Sequence, residues 1–208
     1  MKMSACKIVA FDCDGVLFDT ESANRAYYNA IMAAMGNPEI SDEQFVYVQM
    51  HTVEQSLLFL CGPDGLAQAH AHRRQLSYFP FIKHMKKAPG LDELLDSIEG
   101  RLHTAIATNR SNTMNRVLEE HGMSGRFEMV VTALDVMRPK PAPEQLLKIL
   151  EYFEAGPDEM VYVGDSELDE MAARAAQVPF IAFNNPGLSA EFHVTAMKQV
   201  GQILGVDL

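Results

Sequence analysis

Apolar and polar positions along the chain follow two rhythms. Short continuous apolar runs recur: "KIVAF" ending at Phe11, "HTAIAT" ending at Thr108, "MVV" near Val130, "MVYVGD" ending at Asp165 and "PFIAF" ending at Phe183. Uninterrupted β-branched, aromatic and small apolar residues over such lengths predict strands buried on both faces. Between these runs apolar residues recur every three or four positions, in "LDELLDSI" from Leu91, "NTMNRVLEEHGM" from Asn112, "APEQLLKILEYF" from Ala142 and "ELDEMAARAA" from Glu167. That spacing predicts amphipathic helices. Strand and helix in alternation imply parallel strands joined by right-handed crossovers: an α/β chain with a Rossmann-like, doubly wound parallel sheet covered by helices on both faces.

One connection breaks the rhythm. From about Thr20 to Ala88 helical stretches such as "SANRAYYNAIMAAMG" and "AQAHAHRRQL" follow one another without a strand. A connection this long is normally functional or a domain of its own. The expected organisation is therefore a catalytic core of residues 1–19 and 88–208, with a helical cap, residues 20–87, inserted after the first strand. "DTES" at Asp19 to Ser22 and "KKAPG" at Lys86 to Gly90 are the expected hinges, the second with the Pro and Gly of a domain boundary.

Composition narrows the classes. A chain of 208 residues, 48% hydrophobic, suffices for one good-sized core with a smaller satellite and argues against disorder. A net charge of -11 argues against a nucleic-acid partner, because nonspecific binding relies on Lys and Arg to neutralise phosphates. No apolar run approaches a membrane span, and Met1 to Ala10 lacks the central region of a signal peptide, so no membrane partner and a cytoplasmic location are expected. Cys6, Cys13 and Cys61 form no CxxC pair and are expected as free thiols. No motif speaks to oligomeric state.

In an open parallel sheet ligands bind beyond the carboxyl ends of the strands. Asp12 and Asp14 follow the first strand, Thr108 and Asn109 the second, Lys140 the third at some distance, and Asp165 and Asp169 the fourth. A carboxylate can attack phosphorus and split ester hydrolysis into two easier displacements. Two anions then meet, so a cation is needed, and Mg2+ is usually held by one or two carboxylates together with substrate phosphate. Asp12 and Asp165 are the expected carboxylate ligands, with the Asp14 backbone carbonyl a further one. The Asp14 side chain is then free to give a proton to the leaving group and take one from water. Gly15 allows a tight turn and leaves room for phosphate against the main chain. The Thr108 hydroxyl, the Asn109 N–H and the Lys140 ammonium are candidate donors to the transferring phosphoryl oxygens. Asp169, one helical turn beyond Asp165, is expected to hold the metal, directly or through water, or to anchor Lys140.

These motifs resemble the haloacid dehalogenase superfamily. "DCDGVLFD" is similar to its first motif DxDGxxxD, "IATN" to its second with Thr108, "RPKPAPE" to its third with Lys140, and "VGDSELD" to its fourth with Asp165 and Asp169. The resemblance runs from Lys7 to about Phe183 in the family's order. It implies a Rossmann-like core, Mg2+ dependence, Asp12 as nucleophile, Asp14 as general acid/base and a cap of the type inserted after the first motif. The cap placement and "GDSELDEMAARAA" look most like the phosphoglycolate phosphatase and beta-phosphoglucomutase group, so the expected function is hydrolysis of a small phosphorylated metabolite of phosphoglycolate or sugar-phosphate type. The cap is then expected to close over the crevice and read the leaving group.

Three positions depart from the pattern. Asn24 stands where mutase-type relatives carry His, and Gly164 precedes Asp165 where they carry an acidic pair; both favour a phosphatase over a mutase. Gln177 replaces the usual Gly near the end of the fourth-motif helix, which reads as a change in capping. A receiver-like module is disfavoured by motif order and by the long helical insertion, and a catalytically silent phosphate-binding module by the intact acids. Arg110 and Asn112 read equally as substrate contacts or as surface and cap residues. Cys13 reads as a filler, His70 and His72 as solvated, His51 as a candidate substrate contact, and the runs "HAHRR" and "KHMKK" as a solvated face of the cap.

Overall fold

The structure, a computed structural model, describes residues 6–51 and 53–206. Residues 1–5, 52, 207 and 208, which the sequence reading includes in the core or the cap, lie outside the described residues. The elements run β1 (Ile8–Phe11), β2 (Phe18–Asp19), α1 (Glu21–Ala34), α2 (Asp42–Met50), α3 (Val53–Gln75), β3 (Lys86–Lys87), α4 (Leu91–Ile98), β4 (His103–Ala107), α5 (Met114–Glu120), β5 (Met129–Val131), α6 (Glu144–Tyr152), β6 (Met160–Gly164), α7 (Glu167–Ala176), β7 (Phe180–Phe183), β8 (Phe192–Val194) and α8 (Met197–Leu204). The chain divides into two compact units, Met1–Asp19 with Lys86–Leu208, and Thr20–Met85.

The first unit is built on a six-stranded sheet in the order β5-β4-β1-β6-β7-β8, parallel throughout. From β1 the chain moves outward through β4 and β5, then returns to place β6 on the other side of β1. Strand order therefore reverses between β1 and β6, and the switch point of such a sheet is where a ligand crevice opens at the carboxyl ends. The strands are apolar along their length because both faces are covered. Ile8 and Ala10 of β1, with Ala105, Ala107 and Ala182, pack on Leu146, Ile149 and Leu150 of α6 and on Ala172, Ala173 and Ala176 of α7. Strand alternation turns Val9 and Phe11, both fully buried, to the opposite face. Leu91, Leu94, Leu95 and Ile98 form the buried stripe of α4, at the i, i+3, i+4, i+7 spacing expected of a one-sided helix. Each such Leu or Ile contributes about 1.5–3 kcal/mol on burial.

Three strands escaped the periodicity. β8, "FHV", is three residues long, and its exposed polar centre, His193, leaves no apolar run to register. β2 and β3 are two residues each and pair antiparallel, Phe18 with Lys87 and Asp19 with Lys86. This pairing corrects the boundary drawn from sequence: Lys86 and Lys87 belong to the first unit, not to the cap. The Ala88 N–H also donates to the Leu17 carbonyl (2.9 Å), and the Lys87 ammonium pairs with Asp92, so the second hinge begins with a strand.

The second unit, Thr20–Met85, is helical. Tyr28, Ile31 and Met32 of α1, Phe45 and Val48 of α2, and Leu57 and Ala69 of α3 form its own core. Ser41 opens α2 with a reciprocal capping box to Gln44. α3 is two helical segments joined at Gly62, whose φ of 67° only glycine adopts easily, with Pro63 opening the second segment. His70 is not simply solvated: its Nε2 lies 2.7 Å from Glu54 Oε2. His51 is exposed, stacks on Tyr47 at 3.8 Å between ring centroids, and hydrogen-bonds through Nδ1 to the Tyr47 carbonyl (2.8 Å). Cys6, Cys13 and Cys61 are free thiols.

The helix that carries the fourth motif shows what the glycine replacement does. Ser166 caps α7 through a capping box with Asp169, and the helix ends on Gln177 in the left-handed conformation, φ 58° and ψ 30°. A side chain there is strained where glycine is not. Gln177→Gly is expected to stabilise the protein by roughly 0.5–1 kcal/mol, read as an increase in the urea midpoint at unchanged m-value.

Candidate active site

Asp12 leaves β1 with its backbone N–H still donating to the Val163 carbonyl (2.8 Å), so the side chain stands at the end of the ladder between β1 and β6. It is 7% exposed. Lys140, reached through a loop after β5, is equally buried, and its Nζ lies within hydrogen-bond distance of four acceptors: Asp12 Oδ1 (2.7 Å), Asp169 Oδ1 (2.6 Å), the Tyr162 hydroxyl (2.8 Å) and the Ala107 carbonyl (3.0 Å). The loop is itself held. Gln145, fully buried, accepts from the Lys140 N–H (3.2 Å) and donates to the Thr108 carbonyl (2.6 Å), while the Asn109 side-chain amide donates to the Lys140 carbonyl (3.0 Å). The second and third motifs, after β4 and β5, are thus locked together by hydrogen bonds from two amide side chains to the backbone.

Asp169 has no exposed surface. Its Oδ1 accepts from Lys140 and lies 2.7 Å from the Tyr162 hydroxyl, and its Oδ2 accepts from the Ser166 hydroxyl (2.6 Å) and N–H (3.1 Å). Both oxygens are committed to holding Lys140 and the start of α7. Asp165 is kept at the strand end by its backbone, whose carbonyl accepts from the Asn185 amide (2.8 Å). Its carboxylate fills the place a side chain would take at Gly15: a Cβ there would lie 1.9 Å from Asp165 Oδ2. The room left by Gly15, φ 78°, is therefore occupied by Asp165, and the Gly15 N–H is donated to the Phe18 carbonyl (2.8 Å) within the turn. Thr108, 1% exposed, accepts the Arg110 N–H on its hydroxyl (3.1 Å).

Asp14 stands apart from the other acids. Its carboxylate, 40% exposed, is gripped by the Arg110 guanidinium, with Nε at 3.0 and 2.8 Å from the two oxygens and Nη2 at 2.6 Å from Oδ1. The sequence left Arg110 open between a substrate contact and a surface or cap residue; its side chain instead binds Asp14, a partner that no local pattern could name. Tyr162 and Gln145 were hidden for a related reason: each sits at an apolar-looking position of its element. Ser166 was legible, because "SELD" has the spacing of a capping box.

The electrostatics follow from burial. Four carboxylates, Asp12, Asp14, Asp165 and Asp169, share the strand ends with two cations, Lys140 and Arg110. Burial pushes Asp12 up to about 7; Lys140 opposes that, while Asp169 and Asp14 add to it. Burial likewise pushes Asp165 up to about 7, reinforced by Asp12 and Asp169. Burial pulls Asp169 the same way, but the Lys140 charge and the hydrogen bonds from Lys140, Ser166 and Tyr162 outweigh it and hold Asp169 below the ordinary carboxylate range. Lys140 is disfavoured by burial, yet its two carboxylate partners carry it above the usual lysine value.

Asp12, Asp165 and Asp169 each present an oxygen within 4.8 Å of the others. An all-oxygen donor set carrying excess negative charge fits a hard divalent cation. The raised values give a directional expectation. Between about pH 4 and pH 7 the metal-free folded protein keeps protons on Asp12 and Asp165 that the unfolded chain has released, so this contribution to stability is full below about pH 4 and is lost as the pH rises through about 7. A divalent cation must displace those protons, which weakens binding by roughly tenfold per proton and pH unit below 7. The rise in melting temperature on adding Mg2+ is therefore expected to be large at about pH 8 and nearly absent at about pH 5. An equal rise at both would contradict binding at these carboxylates.

This arrangement, a parallel sheet with carboxylates at its switch point and a buried lysine among them, defines a class of hydrolase, and comparison with known proteins identifies which. The family model for haloacid dehalogenase-like hydrolases matches residues 9–183, and the chain belongs to that family. A solved hydrolase of the superfamily's subfamily IA, variant 1, from Geobacter sulfurreducens is 38% identical, covers 97% of this chain and 97% of its own, and superposes with a TM-score of 0.89. The phosphoglycolate phosphatases of Thiobacillus denitrificans and Nitrosospira multiformis are 29% and 28% identical, over 83% and 82% of this chain and 81% and 79% of theirs. The protein is thus a hydrolase with that family's acidic machinery in place. Among the described residues no helix is long and apolar enough to cross a membrane.

Proposed function

We propose that the protein is a Mg2+-dependent phosphatase that hydrolyses a small phosphorylated metabolite of the phosphoglycolate or sugar-phosphate type through an aspartyl-phosphate on Asp12. The observation that carries this reading is the pairing of Asp12 with Lys140 at the switch point, beside a carboxylate, Asp165, that forms no ion pair of its own among the described residues. A buried carboxylate kept next to a fixed ammonium and a metal-competent oxygen cluster is suited to attack phosphorus, and poorly suited to a merely structural role.

In the proposed reaction an Asp12 oxygen bonds to phosphorus as the ester P–O bond breaks, and the departing oxygen takes the proton of Asp14. Water then attacks the same phosphorus, gives its proton to Asp14, and releases orthophosphate and the Asp12 carboxylate. Lys140 orients the nucleophile and offsets its charge as the anionic ester approaches. The Thr108 hydroxyl, with its acceptor side taken by the Arg110 N–H, is oriented to donate to a phosphoryl oxygen, and the Asn109 N–H is the second donor. Asp12 and Asp165, with the Asp14 carbonyl, would hold the cation, and Asp169 anchors Lys140. Bound there, a divalent ion neutralises charge on the phosphoryl oxygens.

Two features support hydrolysis over phosphoryl return to a sugar. Asn24, at the position where mutase-type relatives carry His, is committed within the helical unit: it accepts from the Tyr78 hydroxyl (2.8 Å) and donates to Thr20 Oγ1 (3.3 Å). Gly164 leaves no room for an acid before Asp165, since a Cβ there would lie 2.4 Å from Asp169 Cβ. The test is phosphate release from a panel of esters, including phosphoglycolate and several sugar phosphates, with Mg2+ and with chelator. Mg2+-dependent release is expected; isomerisation of a sugar phosphate without free phosphate would make the protein a mutase, and no turnover of any ester would remove the reading.

A further inference from the structure

We propose that Arg110 is the positioning residue for Asp14, fixing the plane of its carboxylate so that one oxygen faces the leaving group and then the attacking water. The inference rests on the reading of Asp14 as general acid/base. The two acids of the first motif are two residues apart but have separate cations: Lys140, a point charge, holds Asp12, and Arg110, a planar fork, holds Asp14. A fork with two nitrogens on one carboxylate fixes its rotation as well as its place, which an ammonium does not.

Arg110 is itself built in. Its N–H donates to Thr108 Oγ1 (3.1 Å), its carbonyl accepts from the Ala133 N–H (2.9 Å), and its Nη1 donates to Thr113 Oγ1 (3.2 Å) just before α5. Its side chain is 9% exposed against 40% for Asp14, so the guanidinium is the fixed partner and the carboxylate the one being placed. Burying a guanidinium is costly unless it is paired, and Asp14 is its carboxylate partner. Asp14 accepts from no other side chain among the described residues. Without the guanidinium the Asp14 side chain is free to rotate, while the backbone donation from position 110 to Thr108, the nucleophile and Lys140 are untouched. Loss should therefore fall on proton transfer and not on phosphoryl binding.

The leaving group separates the two. An alkyl ester needs its oxygen protonated as it departs; p-nitrophenolate leaves without a proton, but water must still be deprotonated to clear the phosphorylated enzyme. Arg110→Ala is expected to lower kcat on an alkyl phosphate by about a hundredfold with KM changed less than about threefold, the size of a lost acid/base contribution. On p-nitrophenyl phosphate the same variant should give a stoichiometric burst of nitrophenolate before a slow steady state. Arg110→Lys, which keeps charge and loses the fork, should fall between, and it serves as the folded comparison if Arg110→Ala fails to give a native circular dichroism spectrum. In an Asp14→Asn background Arg110→Ala should add no more than about a twofold loss, as expected of groups acting as a unit. An equal loss in both backgrounds, no burst, or an effect confined to KM, as a substrate contact would give, overturns the inference alone. Asp14→Asn turning over alkyl esters like the wild type would overturn the acid/base reading together with it.

Discussion

Asp12→Asn is expected to lower phosphatase turnover by at least about a thousandfold, with the fold intact. An amide is a very weak nucleophile towards phosphorus, so the proposed covalent route closes while the proposed substrate contacts from Thr108, Asn109 and Lys140 stay in place. The change also removes one negative charge from a crowded set. Burial and the neighbouring Asp169 and Asp14 hold Asp12 up near 7, so a neutral amide of the same shape relieves repulsion at neutral pH. The variant should therefore melt no lower than the metal-free wild type at about pH 8, where the wild-type carboxylate is ionised. Acid quench after mixing with 32P-labelled ester should trap label on the wild type and none on the variant. Trapped label or retained turnover in Asp12→Asn would end the mechanism.

Lys140→Met is expected to have the largest combined effect. Lys140 is held by two carboxylates, Asp12 and Asp169, in a site where all three side chains are almost wholly removed from water. Taking away the cation leaves two buried anions facing each other, and breaking a buried pair in this way costs about 3–5 kcal/mol. For a chain of this size that corresponds to a fall in melting temperature of roughly 10 °C or more. The fall should be smaller at about pH 5 than at about pH 8, because the orphaned carboxylates then take up protons. Combining Lys140→Met with Asp169→Asn should restore part of the stability and none of the activity, since the second change removes a buried charge but returns no cation to Asp12. Recovery of turnover in the double variant would mean that Lys140 acts only as a structural counter-ion.

The two variants probe different levels of the same arrangement. Asp12 tests the chemistry, which depends on one atom at a strand end. Lys140 tests the electrostatic frame, which depends on strands β1, β4 and β6 meeting the loop after β5.

Much of this frame was legible before the fold was known. The five strands read from sequence are those of the sheet apart from β8, and the four helices read from the core, α4 to α7, are all present. These elements are long enough, or apolar enough on one side, for local periodicity to exceed the background. β8 was missed because the exposed His193 interrupts its three residues, and β2 and β3 because two residues cannot carry a period; their pairing is decided by backbone neighbours far along the chain. The candidate site was legible where polar groups stand at the ends of apolar runs, as with Asp12, Asp14, Thr108 and Asp165. It was illegible where a polar group hides inside such a run. Tyr162 lies in the middle of "MVYVG", yet its hydroxyl sits between Lys140 and Asp169.

The sequence by itself determined the order of strands and helices and the delivery of acids to the strand ends, because both are written in residues close along the chain. Only the tertiary structure decided how those acids are shared out. Asp12 is given to Lys140, 128 residues away, and Asp14 to Arg110, 96 residues away. Asp165 is set into the space that Gly15 leaves, and Asp169 is given to Lys140 and Ser166. These choices follow from β4 and β6 lying on either side of β1. That order brings distant charges within hydrogen-bond reach in a medium too dry to leave them unpaired, and no local pattern encodes it.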